Sequence, residues 1–206
     1  MEKLLQGLIR FRKEDFEKHK ELFGQLEKQQ SPHTLFIGCS DSRLVPNLIT
    51  QTLPGELFVV RNIANIVPPY RKSEEHLATT SAIEYAINVL DVQNIVVCGH
   101  SNCGGCHAIY ASDDLLSQIP HTRKWLELAE DVKKRVLDEL HEEDEQTREW
   151  MTEQINVVEQ LKHLLTYPFI RDKYKTSEIE IHGWYYVIET GEVYIYNKEN
   201  GKFEVD

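Results

Sequence analysis

The hydrophobic positions of the chain follow two different periods. Over the first 28 residues Leu4, Leu5, Leu8, Ile9, Phe16 and Phe23 recur among charges at helical spacing, until Ser31-Pro32 ends the run. That spacing predicts one amphipathic helix over 1–28. Three short, nearly unbroken apolar runs follow: H-T-L-F-I-G at 33–38, E-L-F-V-V-R at 56–61 and N-I-V-V-C at 94–98. They are too short for helices and read as strands, the first and third of them buried. Between them the pattern gives a short helix or turn over 45–50, a turn at Leu53-Pro54-Gly55, and a loop over 62–70 that ends on Pro68-Pro69 and Tyr70. A helix is predicted over 76–90, with Leu77, Ile83, Ala86, Ile87 and Leu90 facing inward. Two long charged helices are predicted over 122–142 and 145–165. Residues 178–188 and 192–197 alternate strongly and predict a strand pair turning at Thr190-Gly191.

Short apolar strands alternating with helices imply an α/β fold. The expected form is a mostly parallel central sheet flanked by helices, with an N-terminal helical arm and a C-terminal strand hairpin. No linker, repeat or low-complexity segment divides the 206 residues. One domain is therefore expected, an arm over 1–30 and an α/β core over 31–206. Sites in such sheets lie beyond the carboxyl ends of strands. Two strand ends here run into cysteine-bearing loops, at Gly38-Cys39 and at Cys98-Gly99-His100. If those strands are neighbours, Cys39, His100 and Cys103 converge.

Charge and composition narrow the partners. At 41% hydrophobic and 28% charged the composition is that of an ordinary globular domain. The net charge is −11, with no basic block. Nucleic acid is therefore not expected as a partner, since phosphate binding needs clustered Lys and Arg. An anionic membrane would be repelled, and no run approaches the roughly 20 apolar residues of a membrane span. The N-terminus is charged throughout and lacks an export signature, so a cytoplasmic location is expected, where thiols stay reduced.

The segment C-G-H-S-N-C-G-G-C-H-A at 98–108 then admits three chemistries. Cys103-Gly104-Gly105-Cys106-His107 has the form of a covalent haem attachment motif. The same stretch contains a C-x-x-C, a possible redox pair. His100 and Cys103 form an H-x-x-C, half of a zinc site. Haem attachment goes with export, and a redox pair belongs in a thioredoxin-like context rather than after a mid-chain strand. Zinc takes four tetrahedral ligands, typically thiolates and imidazoles, with one position open for catalysis. Cys39 lies too far from His100 for a zinc finger but suits two strand ends of one sheet.

Cys39-Ser40-Asp41-Ser42-Arg43 and Gly99-His100-Ser101-Asn102-Cys103-Gly104-Gly105 resemble the two signatures of the β-class carbonic anhydrases. The resemblance continues in P-G-E-L-F-V-V-R-N-I-A-N, A-I-E-Y-A, L-L-T-Y-P-F-I-R and H-G-W-Y-Y. It implies a zinc-dependent, reversible hydration of carbon dioxide to bicarbonate and a proton, by a carbonate dehydratase, a lyase. It implies one zinc ion per subunit on Cys39, His100 and Cys103, with water or hydroxide in the fourth place. Two thiolates cancel the metal charge, so that water should be less acidic than in a three-histidine site, where it titrates at about 7. Asp41 would orient the hydroxide, and Arg43 would hold Asp41 ionised and off the metal.

The resemblance also implies a substrate pocket. Gln30 and Tyr85 match its polar contacts, Phe58 and Ile63 its apolar walls, and the amide of Gly104 a backbone donor. Part of that pocket comes from a neighbouring subunit in the family, which implies a homodimer or homotetramer with the helical arm packed on its partner. Arg61 and Tyr186 match two residues of a regulatory bicarbonate site found in a second subtype. The third position, a Trp there, is Phe36 here, so the open-site subtype of plant-type and bacterial members is expected. Arg61 alone could instead pair with a carboxylate across an interface. Cys98 is expected as a buried small hydrophobe, Cys106 and His107 as packing neighbours, His182 and Trp184 as sheet residues, and Glu142-Glu143-Asp144-Glu145 as a solvated connection. Two other functions stand beside this one. A thiol-rich metal-binding or redox protein without turnover would give Asp41 and Arg43 no purpose. Hydrolysis of carbonyl sulfide or carbon disulfide would use the same fold with different pocket access.

Overall fold

A computed structural model gives the fold and describes residues 1–71, 77–140 and 144–205. Three helices come first, α1 (Glu2–Lys13), α2 (Asp15–Lys18) and α3 (Lys20–Leu26), followed by strand β1 (Thr34–Cys39). Next come α4 (Pro46–Thr50), β2 (Leu57–Asn62), α5 (Leu77–Asn88) and β3 (Asn94–His100). A helical stretch holds α6 (Gly104–His107), α7 (Asp113–Gln118), α8 (Pro120–Leu126), α9 (Glu130–Glu139), α10 (Glu145–Leu164) and α11 (Pro168–Lys175). Strands β4 (Glu180–Tyr186), β5 (Val193–Asn197) and β6 (Lys202–Val205) end it.

The six strands form one sheet in the order β2-β1-β3-β4-β5-β6. Its first four strands are parallel, and β5 and β6 add on antiparallel. This is the expected α/β architecture. All six residues of β1 are buried, as an interior parallel strand requires when both faces are covered. Alternate residues enter different apolar clusters. Leu35, Ile37, Ile95 and Val97 pack with Ile83, Ile87 and Val157. Phe36, Val96 and Cys98 pack with Val132, Val136 and Ile155. Because β1 and β3 pair directly, with Gly38 opposite Cys98, their carboxyl ends stand side by side.

Helix α10 lies close against β3 and β4 because two glycines admit it. A Cβ on Gly99 would stand 2.6 Å from Cγ2 of Val157, and one on Gly183 would stand 3.0 Å from Cγ1 of the same side chain. Valine has little rotamer freedom in a helix with which to give way. Gly99→Ala is therefore expected to destabilise the fold by about 1–3 kcal/mol through overpacking. The check is a lower urea midpoint with an unchanged slope.

Several expected elements differ in detail. The helix predicted over 1–28 is broken at Glu14 and His19. The bends bring Phe11, Phe16 and Phe23 together, with ring centroids 5.3 to 6.4 Å apart, which their spacing would not allow on one straight helix. The helix predicted over 122–142 starts at Pro120, and a 3-10 turn over Glu127–Ala129 divides it. Three residues per turn keep Leu126, Ala129 and Val132 on the buried side at a spacing of three. Leu77, expected inside, is exposed at the start of α5. Positions 76 and 141–143 of the predicted elements lie outside the described residues. The loop over 62–70 opens with a 3-10 turn, Ile63–Asn65, and α6, α7, α11 and β6 have no counterpart among the predicted elements.

Candidate metal centre

The turns that follow β1 and β3 carry the cysteines and the histidine to one point. The sulfurs of Cys39 and Cys103 and an imidazole nitrogen of His100 lie within 4.8 Å of one another, on three buried residues. The two sulfurs are 3.8 Å apart. Two thiolates bound to one tetrahedral zinc at about 2.3 Å would stand roughly 3.8 Å apart. The Nδ1–H of His100 donates to the carbonyl of Ser101 at 2.9 Å, which leaves Nε2 as a lone-pair donor. That Nε2 is buried and has no hydrogen-bond partner among the described residues. A buried polar atom without a partner is costly, and a metal would satisfy it. The neighbouring Cys103 sulfur, helped by burial, pushes the Cys39 thiol up to about 12. Cys103 is raised as well, first by its contact with Cys106. Both thiols are thus held above their ordinary range, toward the protonated form. A divalent metal that binds thiolate is the partner that lets both ionise. The donor set, its spacing and its tautomer fit zinc.

Asp41 stands at the edge of this cluster, with Oδ2 3.8 Å from His100 Nε2. Arg43 holds both of its oxygens. The Arg43 backbone N–H and Nε donate to Oδ1, each at 2.9 Å, and Nη2 donates to Oδ2 at 2.7 Å. Nη2 also reaches the carbonyl of Asn102 at 3.0 Å, which ties the first loop to the second. The guanidinium keeps the Asp41 carboxyl well below the usual carboxylate range. Asn102 takes a left-handed φ of 54°, a conformation asparagine tolerates, in the turn between His100 and Cys103.

Arg61 has a role the sequence does not indicate. Its Nε donates to the carbonyl of Cys39 at 3.0 Å and its Nη2 to that of Asp41 at 2.6 Å. It bonds main chain of its own subunit and braces the loop that bears both residues. Cys98 is fully buried, as expected. Cys106 is buried with Asn156 Nδ2 against its sulfur at 3.8 Å, whereas His107 is exposed and bonds Glu149 at 2.7 Å. Trp184 packs edge-on to Phe36, and His182 lies 3.3 Å from Glu180.

The matched substrate residues divide into two groups. Gly104 directly follows Cys103, and a Cβ there would meet nothing within 4 Å, so space opens beside the cluster. Ile63 lies nearby, since a Cβ on Gly105 would meet its Cγ2 at 2.9 Å. Phe58 pairs with Leu35, four residues before Cys39, which is roughly 13 Å back along the strand. Tyr85 is with Phe58, ring centroids 6.1 Å apart, and Gln30 is exposed ahead of β1. The single chain does not bring these three to its own cluster.

A buried polar stripe on α10 also escapes a reading of the sequence. Glu153, Asn156, Gln160 and His163 recur at helical spacing and are all buried. Glu153 accepts from the Cys103 amide at 2.8 Å and from the Tyr185 hydroxyl at 2.7 Å. Burial pushes its carboxyl up, against the opposing pull of those two bonds. Asn156 donates to the carbonyl of Ala64, Gln160 accepts from the amide of Val67, and His163 Nδ1–H donates to the carbonyl of Val67. Ala64 has a positive φ of 59°, so the stripe holds a strained loop in place.

The chain as a whole is similar to known proteins. The carbonic anhydrase family profile matches residues 34–193. A carbonic anhydrase from Helicobacter pylori is 42% identical over 201 residues, covering 96% of this chain and 91% of its own. One from Pseudomonas aeruginosa is 41% identical over 194 residues, covering 94% and 86%. The solved structure of the β-carbonic anhydrase CcaA superposes with a TM-score of 0.95 at 39% identity, covering 100% of this chain and 99% of that one. A structure reported among two tetrameric β-carbonic anhydrases of Sordaria macrospora gives 0.82 at 32%, covering 94% and 95%. From the helical arm to the final hairpin, the chain belongs to the β-class carbonic anhydrases.

Proposed function

We propose that the chain hydrates carbon dioxide reversibly to bicarbonate and a proton, with one zinc ion per subunit held by Cys39, His100 and Cys103. The observation that carries this is the unpartnered, buried Nε2 of His100 set beside two sulfurs at zinc spacing. Bound zinc supplies a Lewis acid that makes a water acidic enough to act as a nucleophile near neutral pH.

The chain's own residues do the rest. Asp41 is a fixed, ionised acceptor at the edge of the cluster and orients a proton donor there. Arg43 keeps it charged and turned away from the metal position, while Arg61 anchors the main chain that carries Cys39 and Asp41. The Gly104 amide offers a donor to a carboxylate-like oxygen, and Ile63 supplies an apolar wall for carbon dioxide. Gln30, Phe58 and Tyr85 serve the cluster of a second copy, so the working unit is a homodimer or a homotetramer built from such dimers. The apolar side of α1 supports this, because Leu4, Leu5, Leu8 and Ile9 are each more than half exposed. We place the protein in the cytoplasm, consistent with four free cysteines, as one domain with an arm over 1–30 and a core over 31–206. Among the described residues no helix is long and apolar enough to cross a membrane.

Elemental analysis with stopped-flow hydration across pH tests this reading. The expected result is one zinc per chain and a rate that climbs on the alkaline side. Activity that is flat over roughly pH 6 to 9 would contradict the expected titration of the water.

A further inference from the structure

Glu153 sits on the inward face of α10, one turn before Val157, the residue that Gly99 and Gly183 admit against the sheet. That close approach sets its carboxylate, only 3% exposed, under the turn that carries Cys103. One oxygen accepts the Cys103 N–H and the other the Tyr185 O–H. Tyr185 is also buried and extends from β4 at the position opposite Gly99. Among the described residues no cation is set against this carboxylate. Burying a carboxylate is costly unless donors meet it. Here one donor is main chain of a residue read as a metal ligand. Cys103 is the residue ahead of α6, so its amide has no partner within that helix. The carboxylate supplies the partner.

We propose that Glu153 is a positioning residue for the metal centre, fixing the main chain of Cys103 and thereby the direction of its thiolate, with Tyr185 holding the carboxylate in place. The inference rests on the reading of Cys39, His100 and Cys103 as zinc ligands. The polar stripe gives it a structural frame. Asn156, Gln160 and His163 hold the loop over 64–67 on the other side of Gly105, so one face of α10 fixes both loops that border the cluster.

The test measures zinc transfer from the loaded protein to a chelator, together with the thiolate-to-metal absorption of the cobalt-substituted protein. Partners of metal ligands contribute about 10- to 100-fold in metal affinity. Glu153→Ala is expected to release zinc about 10- to 100-fold faster and to shift the cobalt band. Glu153→Gln retains an oxygen that can accept the Cys103 amide and should stay within about threefold of the parent with the parent's band. Tyr185→Phe removes only the far donor and should fall between the two. A Glu153→Ala protein that folds, releases zinc at the parent rate and keeps the parent spectrum overturns the proposal, even if its urea midpoint drops, because that pattern is packing alone. Should Glu153→Ala fail to fold, parent-like release from Tyr185→Phe overturns it instead. A parent chain that binds no stoichiometric zinc would sink the ligand reading, which is a separate failure.

Discussion

Replacing Cys39 with alanine is expected to remove zinc and hydration activity together. Cys39 is the one proposed ligand contributed by β1, and it meets the other two only because β1 and β3 are neighbours in the sheet. Without it His100 and Cys103 remain, three residues apart on one turn, and two ligands fall short of the three protein ligands of catalytic zinc sites. A bound metal lowers the pKa of a water far below its bulk value of about 15.7, so activity above background should drop at least about a thousandfold. The fold should persist. Arg61 bonds the carbonyl of residue 39 rather than its side chain, and the Asp41–Arg43 pair does not involve the sulfur. The variant's melting temperature should match that of the metal-free parent, since a ligand that binds only the folded state stabilises it by mass action. Elemental analysis, stopped-flow hydration and circular dichroism read the three expectations. Stoichiometric zinc in a folded Cys39→Ala protein would remove Cys39 from the ligand set.

The parts of this centre differ in how far the sequence reveals them. The short apolar runs before Cys39 and before Cys98 predict buried parallel strands, and strand ends are where such sheets place their sites, so the convergence of Cys39, His100 and Cys103 is legible on the condition that the two strands are neighbours, which the sheet order meets. The apparent haem motif at 103–107 separates in three dimensions, with Cys106 buried against Asn156 and His107 exposed beside Glu149. Glu153 is not legible for a physical reason. On a helix rich in Glu and Gln, polar residues at helical spacing look like a solvated face. Which side turns inward depends on two glycines in strands distant in sequence. Arg61 is similar, because donors that end on main-chain carbonyls leave no pairing signal in the sequence. The bends of the arm depend on contacts among Phe11, Phe16 and Phe23, and β6 depends on the partner strand offered by β5.

The substitution Asp41→Asn is expected to leave zinc in place and slow hydration by about 10²- to 10⁴-fold, the range for losing a positioned acid–base group. The reason is charge as much as shape. The new carboxamide would keep one oxygen for the Arg43 amide and Nε, but its NH2 would face the Arg43 Nη2 donor that now meets Oδ2 at 2.7 Å. Removing Arg43 acts on the same carboxylate from the other side. In Arg43→Leu the bonds to Asp41 from Nε and Nη2 are lost, and its pKa climbs back toward the ordinary range. Asp41 is lowered in the parent, so its pairing stabilises the fold above the usual carboxylate range and is lost as pH falls through the depressed value. Freed of Arg43, Oδ2 starts only 3.8 Å from His100 Nε2 and can turn onto the metal position. Arg43→Leu should therefore lose activity by a similar factor with zinc retained. The double variant should then be no slower than Asp41→Asn alone, because the group that closes the site is already neutral. A fully additive loss in that cycle, measured by stopped flow at fixed zinc content, would mean that Arg43 acts independently of Asp41.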